Sequence, residues 1–255
     1  MLDLRTFGGL SVRLRDGRQP APAALQPRRL AILAVVGRAG ARGVTRDKIL
    51  ALLWPDADDE AGRKALNQAL YQLRTGLDCE ALFLGTQELR LNPEVAGCDV
   101  ADYEAALAAR EWERAAALYE GPFLDGFRVP AAGEFARWAD EERADLAHRQ
   151  EELLERLGRR AAERGDAREA AGWWRRRAAA DPLNGRAAIE YMRCLAAAGD
   201  VATALRHARI YEALVAQELS MPADREVLAL AERLRAESAA APPPPPAPAP
   251  VPAPP

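Results

Sequence analysis

Alternating apolar and polar positions at the start of the chain predict a small antiparallel sheet. Residues 10–14 alternate between apolar and polar side chains, which is typical of a strand with one buried face. Gly8 and Gly9 separate this strand from a similar alternation that begins at Leu2. The turn residues Asp16 and Gly17 predict a return into a third short strand.

Three helical segments follow this sheet. The first is predicted to begin after Pro27 and to end near Gly37–Gly40, and the second begins at the N-cap residue Thr45 and runs to Trp54. The third runs from Asp58 or Asp59 to about Gly76. Its buried stripe has the spacing of a half-buried helix and consists of Leu66, Leu70, Leu73 and Leu77.

Two short strands close this region. Phe83-Leu84 and Leu89–Leu91 have strand character and are joined across Gly85–Glu88. Strands, three helices and a terminal hairpin, in that order, predict a winged helix-turn-helix domain of α+β class over residues 1–96. In such a domain the third helix enters the major groove of DNA and the hairpin forms the wing.

The rest of the chain has a helical repeat. Gly165-Asp166 recurs as Gly199-Asp200, and Ala170 recurs as Ala204, both at an offset of 34 residues. This period is typical of tetratricopeptide-type helical hairpins. The sequence therefore predicts a mainly α protein, with an all-α, tetratricopeptide-like repeat domain over 97–238 and a Pro-rich tail or linker over 239–255, which we expect to be extended.

Composition narrows the class of protein. Residues 1–96 carry a net charge of +3 and the remainder −6, so the first domain is mildly basic, as in nucleic-acid-binding proteins. The three cysteines lie far apart, no leader sequence is visible and no apolar run reaches the length of a membrane helix. We expect a cytoplasmic protein that binds no membrane, metal or cofactor.

The third helix offers side chains suited to reading DNA. With the leucines facing inward, the outward residues lack acidic groups and include Asn and Gln, which pair with adenine edges, and Arg and Lys, which bind guanine or phosphate. The other interpretation is an amphipathic helix whose polar face is merely solvated. The candidate DNA contacts are Thr45, Arg46, Arg63, Lys64, Asn67, Gln68, Tyr71, Gln72, Arg74 and Arg90.

An ordered series of short motifs resembles one known family. The chain is similar to the bacterial transcriptional activator domain proteins, which are related to the Streptomyces antibiotic regulatory proteins and begin with a winged helix-turn-helix like that of OmpR-type response regulators. The motifs are Leu4-x-x-Phe7-Gly8, Gly43–Ile49, Leu52–Pro55, Ala65-Leu66 through Leu77, Asp99-Val100-x-x-Tyr103, Tyr119 through Gly126, Trp138-x-x-Glu141 and Asp181–Leu183.

This resemblance implies a function and its partners. The family implies sequence-specific binding of double-stranded DNA, self-association on direct-repeat sites, and activation through contact with RNA polymerase. Family members often place Arg where this chain has Gln72 and Thr75, so contacts to phosphate or guanine at these two positions are weakened. The predicted wing contains a single cation, Arg90. Because few positive charges are available for phosphates, we expect modest affinity for DNA.

Other functions receive little support from the residues. The two histidines, His148 and His207, lie in separate helices, and neither lysine lies in a phosphate-binding loop, so we expect no catalytic site and no enzyme activity. The alternative to a DNA-binding regulator is a helical-repeat adaptor that binds proteins and whose winged domain no longer binds DNA.

Overall fold

The structure, a computed structural model, describes residues 1–240, and most of the predicted Pro-rich segment therefore lies outside the described residues. The described part is mainly helical with a small sheet region near the N-terminus. The chain forms two compact units, Met1–Leu153 and a second that begins at Leu154. The predicted boundary near residue 96 lies inside the first unit, and the predicted domain limits stay predictions.

The first sheet contains a strand from a distant part of the chain. Strand β1 (Leu2–Arg5) pairs antiparallel with β2 (Ser11–Leu14), as the alternation predicted. The third strand predicted after Gly17 is wrong: residues 18–26 contain Pro20 and Pro22, which lack the amide that a strand ladder needs, and they form no strand. The third position in this sheet is taken by β6 (Ala96–Cys98), which runs parallel to β1.

Three helices are present at the predicted positions. They are α1 (Pro27–Ala39), α2 (Arg46–Leu53) and α3 (Asp59–Gly76). Gly37 lets α1 approach the sheet, because a Cβ atom there would lie 2.7 Å from Cys98 Sγ. The predicted stripe of α3 is confirmed as buried: Leu66, Leu70, Leu73 and Leu77 are all at most 2 % exposed.

Trp54 follows α2 as its C-cap residue. It is half-buried, and the guanidinium of Arg28 lies 5.5 Å from the centre of its ring. The tryptophan therefore combines partial packing with a cation–π contact.

A second sheet follows α3. The predicted hairpin is confirmed as β4 (Phe83–Leu84) and β5 (Glu88–Leu91), which pair antiparallel. A two-residue strand that the sequence pattern did not reveal, β3 (Val44–Thr45), pairs with the other side of β5 and gives the order β3-β5-β4. This pairing connects the start of α2 directly to the hairpin.

Helices α4 (Asp99–Ala108) and α5 (Trp112–Leu118) belong to the first unit, as does the larger part of α6 (Gly133–Glu163). The carboxylate of Asp99 accepts hydrogen bonds from the amides of Thr6 and Phe7 at 2.8–2.9 Å, which fixes the start of α4 against the first sheet. The ring of Phe7 then packs on Tyr103 and Tyr119 with centroid distances of 5.5 and 4.7 Å.

Ion pairs hold the end of α1 to helices α4 and α6. Arg38 is one-tenth exposed and lies 3.1 Å from a carboxylate oxygen of Glu104 in α4, 2.7 Å from Glu142 and 3.4 Å from Asp145 in α6. Glu142 also accepts a hydrogen bond of 3.0 Å from Trp138 Nε1. Because the arginine is nearly buried, its partners are needed to offset the loss of water around its charge.

The second unit is helical over its described residues. Its further helices are α7 (Ala167–Ala180), α8 (Gly185–Ala197), α9 (Val201–Leu219) and α10 (Arg225–Ala240). Asp166 and Asp200, 34 residues apart, cap α7 and α9 in the same way.

Trp174 is buried against Gly158, where a Cβ atom would lie 2.5 Å from the indole nitrogen. Arg177 is also buried and lies 3.4 Å from Glu155.

Candidate DNA-binding surface

The outward face of α3 presents the predicted polar side chains to solvent. Tyr71 at its centre is 57 % exposed. Gln72 and Arg74 are half-buried. The exposed members of the face are Arg63, Lys64, Asn67, Gln68, Tyr71 and Thr75.

Arg46 joins this helix to the hairpin. Its Nε donates a hydrogen bond of 2.6 Å to the carbonyl oxygen of Thr86 in the hairpin loop, and its Nη1 donates one of 2.8 Å to Asn67 Oδ1 on α3. The backbone supports the same arrangement, since the Arg46 amide donates to the carbonyl oxygen of Gln87 at 3.2 Å. The helix and the hairpin loop are therefore held at a fixed spacing by one side chain.

Arg74 packs beneath the hairpin. Its guanidinium lies 5.9 Å from the centre of the Phe83 ring, and its Nε is buried without a hydrogen-bond partner among the described residues. A half-buried arginine stacked on an aromatic ring stabilises the packing of α3 against β4. The predicted contact of Arg74 with DNA stays a prediction.

The remaining candidate residues differ in the ion pairs and hydrogen bonds that their side chains already make within the protein. Arg63 forms an exposed ion pair of 3.5 Å with Asp59, whereas Lys64 has no ion pair within residues 1–240. The hydroxyl of Thr45 accepts a hydrogen bond of 3.2 Å from the amide of Lys48, which caps α2. Arg90 is exposed, and its Nη1 lies 3.5 Å from the carbonyl oxygen of Ala41.

Two exposed cations beside Thr45 were missed by the sequence reasoning. Arg42 and Lys48 line a cleft of about 370 Å³ together with Thr45. Exposed carboxylates lie nearby, at Asp47 in α2 and at Glu88 in β5, which pairs with Thr45. Lys48 is one of only two lysines in the chain and follows the N-cap of α2, which was the available signal.

The described residues hold no cluster of side chains suited to a metal ion, and no helix among them is long and apolar enough to cross a membrane. The geometry thus brings Arg46, Asn67 and the hairpin loop together and leaves the exposed side of α3 open. The described part of the chain is thus a mainly helical protein with a small sheet region.

A family model described as "Bacterial transcriptional activator domain" matches residues 90–235, which is more than half of the chain. The protein therefore belongs to the bacterial transcriptional activator domain family, a family of transcriptional regulators. The matched region starts within β5, so it includes β6, the strand that completes the first sheet.

A solved structure shares the fold. The chain is similar to Mycobacterium tuberculosis EmbR in complex with a low-affinity phosphopeptide, with a TM-score of 0.54 and 20 % sequence identity. The alignment covers 92 % of this chain and 65 % of that chain, so this protein spans about two-thirds of the length of EmbR. No curated protein matches the sequence.

Proposed function

We propose that this chain is a sequence-specific, DNA-binding transcriptional regulator whose N-terminal region is a winged helix-turn-helix. In this proposal α3 enters the major groove and the hairpin β4–β5 is the wing. The observation that carries it is the exposed face of α3 over residues 63–76, which includes no acidic side chain and is attached to the hairpin loop through Arg46. In winged proteins these two elements contact adjacent parts of the duplex.

The side chains of α3 divide into two roles. Asn67 and Gln68 carry the paired donor and acceptor that match adenine edges, so they supply base preference. Because Arg46 donates to Asn67 Oδ1, the amide of Asn67 is oriented before DNA arrives. Lys64, together with Arg42 and Lys48 beside Thr45, supplies positive charge for phosphates.

Regulation requires partners beyond DNA. The family description supports activation of transcription, and we extend it to contact with RNA polymerase and to self-association on direct-repeat sites. The helices of the second unit, in a tetratricopeptide-like arrangement, supply the protein surface. A bacterial regulator of this kind acts in the cytoplasm, where the chromosome lies, and it needs no catalytic group.

Equilibrium binding to random-sequence DNA over a range of salt concentrations tests the proposal. We expect affinity to fall with salt, and Lys64→Ala to flatten the logarithmic salt slope by about one unit by removing one phosphate contact. Arg209→Ala is the matched control, because Arg209 is an exposed cation on α9. An unchanged slope in Lys64→Ala would contradict the assignment of α3.

A second function is favoured by one observation. Three predicted contacts are already engaged within the protein: Arg46 with Asn67, Arg63 with Asp59, and Arg74 with Phe83. This reduces the positive charge available for DNA and supports an adaptor that binds proteins only. The adaptor predicts no salt-dependent retention on DNA in the same experiment.

A further inference from the structure

A cavity of about 430 Å³ lies beside the hairpin, at the free edge of strand β6. Its walls come from the end of α1, the first turn of α4 and the strands β4 and β5, all within the first unit. Much of the lining is apolar and includes Val36, Leu91, Cys98 and Ala101. Concave sites of this size with a few polar groups are typical of small-molecule binding.

Two arginines make the lining positive. The charged groups of the lining residues are the guanidinium groups of Arg15 and Arg90, the amino group of Met1 and the one carboxylate of Asp102, so positive charge is in excess. Within residues 1–240, neither arginine has a carboxylate oxygen within 4.0 Å. Burial raises the pKa of Asp102, while Arg114 and Arg15 oppose that shift from a distance. The two guanidinium groups are therefore available to an anionic group from outside the chain.

The hairpin contributes an apolar side chain next to one of these cations. Leu84 and Arg90 are directly opposite each other in the pairing of β4 with β5, and both line the cavity. Leu84 is 42 % exposed, unlike Phe83 beside it, which is 6 % exposed. A ligand with an apolar body against Leu84 and an anionic group on Arg90 would use both features.

We propose that this cavity binds a small organic monocarboxylate with an apolar body, and that the bound ligand weakens the binding of DNA. A carboxylate matches the planar donor fork of arginine, and the excess of positive charge in the lining favours an anionic group. The effect on DNA rests on the proposed function, because Arg90 is a predicted phosphate contact and the loop after β4 holds Arg46.

Calorimetric titration of the full chain tests the site without DNA. The probes are 2-naphthoate, the neutral 2-naphthamide and the cationic 2-naphthylmethylamine, which share one apolar body. We expect the carboxylate to bind about tenfold more tightly than the amide, since a hydrogen bond to a charged group contributes at least that factor, and the amine not to bind. Equal binding of carboxylate and amide, or no binding of the carboxylate at millimolar concentration, overturns the proposal.

Three variants locate the binding. Arg15→Gln and Arg90→Gln should each weaken 2-naphthoate binding by about tenfold, whereas Arg13→Gln, an exposed arginine on β2 that does not line the cavity, should leave it unchanged. Both positions are at the surface, and thermal melting checks that the variants fold. Parental affinity in both Arg15→Gln and Arg90→Gln overturns the site.

The effect on DNA is measured separately. Saturating 2-naphthoate should weaken the binding of DNA by the parent chain several-fold and should have no such effect on Arg90→Gln. If the chain binds DNA and the probe leaves that affinity unchanged, the coupling is wrong while the site stands. If the chain binds no DNA, the proposed function fails, and the calorimetry still decides whether the cavity binds carboxylates.

Discussion

Asp99 shows how one side chain can hold two parts of the chain together. Its carboxylate accepts hydrogen bonds from the amides of Thr6 and Phe7 and from the Thr6 hydroxyl, the last at 2.6 Å. Thr6 is fully buried, so without Asp99 these donors lose their partner in a place that water does not reach. The residue therefore joins strand β1 to the start of α4.

We predict that Asp99→Ala lowers the free energy of unfolding by about 3 kcal/mol, because buried donors bonded to a charged group are left unsatisfied. Urea denaturation followed by circular dichroism measures it. Glu94→Ala removes an exposed carboxylate in the loop before β6 and should change stability by less than about 0.5 kcal/mol. Equal losses in the two variants would contradict the role given to Asp99.

Arg46 has a different role, because it positions other residues. We predict that Arg46→Ala loosens the hairpin loop, lowers stability by about 1 kcal/mol as two partly exposed hydrogen bonds are lost, and weakens the binding of DNA. Hydrogen exchange at the amides of the hairpin measures the loosening. Arg63→Ala, which removes an exposed ion pair on α3, should leave hairpin exchange unchanged.

If exchange in Arg46→Ala equals that of the parent, the spacing between α3 and the hairpin is set elsewhere. This outcome would not decide whether the chain binds DNA, because the side chains on the outward face of α3 do not depend on Arg46 for their exposure. Asn67 alone would lose its orienting partner.

At the scale of elements, local pattern was sufficient for the helices and the hairpin. Each of these signals involves residues that are close in sequence, so it can be recognised without the structure. Examples are the leucine stripe of α3, the capping residue Thr45 and the turn residues before β5. Strand β6 was missed because Ala96-Gly97-Cys98 has no strand character of its own and pairs with a strand more than ninety residues away in the chain. Side-chain partners such as those of Arg46 depend on the folded positions of three elements, which no local pattern encodes.

Helix α9 contains a group that makes stability depend on pH. Burial lowers the pKa of His207, whose ring packs edge-on against Tyr191 at a centroid distance of 4.9 Å. Its Nε2 is buried without a hydrogen-bond partner among the described residues. The folded state therefore favours the neutral ring.

The sign of the effect follows from proton linkage. The unfolded chain, with an ordinary histidine pKa of about 6.5, binds a proton more readily than the folded protein, so stability is full above that pH and falls on acidification. We predict a decrease between about pH 7.5 and about pH 5.5 that His207→Phe reduces. His148→Gln, at an exposed position, should retain it. Urea unfolding at several pH values decides, and an unchanged pH dependence in His207→Phe would contradict this assignment.

At the scale of the whole molecule, the first compact unit is larger than the predicted DNA-binding domain. A fragment of residues 1–96 lacks most of β6, the carboxylate of Asp99 and the partners of Arg38. We predict that this fragment is largely unfolded, whereas a fragment ending near residue 164, after α6, is folded. Circular dichroism and thermal melting of the two fragments measure the difference. A cooperative melt of fragment 1–96 would restore the shorter domain limits.

The central claim is that α3 reads DNA sequence, and selection of preferred sites from random DNA tests it most directly. The full chain should enrich a defined site, and Gln68→Ala should lose preference at one or two base positions while it retains the rest, because a bidentate base contact is worth about 1–3 kcal/mol. Gln217→Ala, an exposed glutamine on α9, should select the parental site. Enrichment of no site by the parent, or of the same site by Gln68→Ala, would contradict the account.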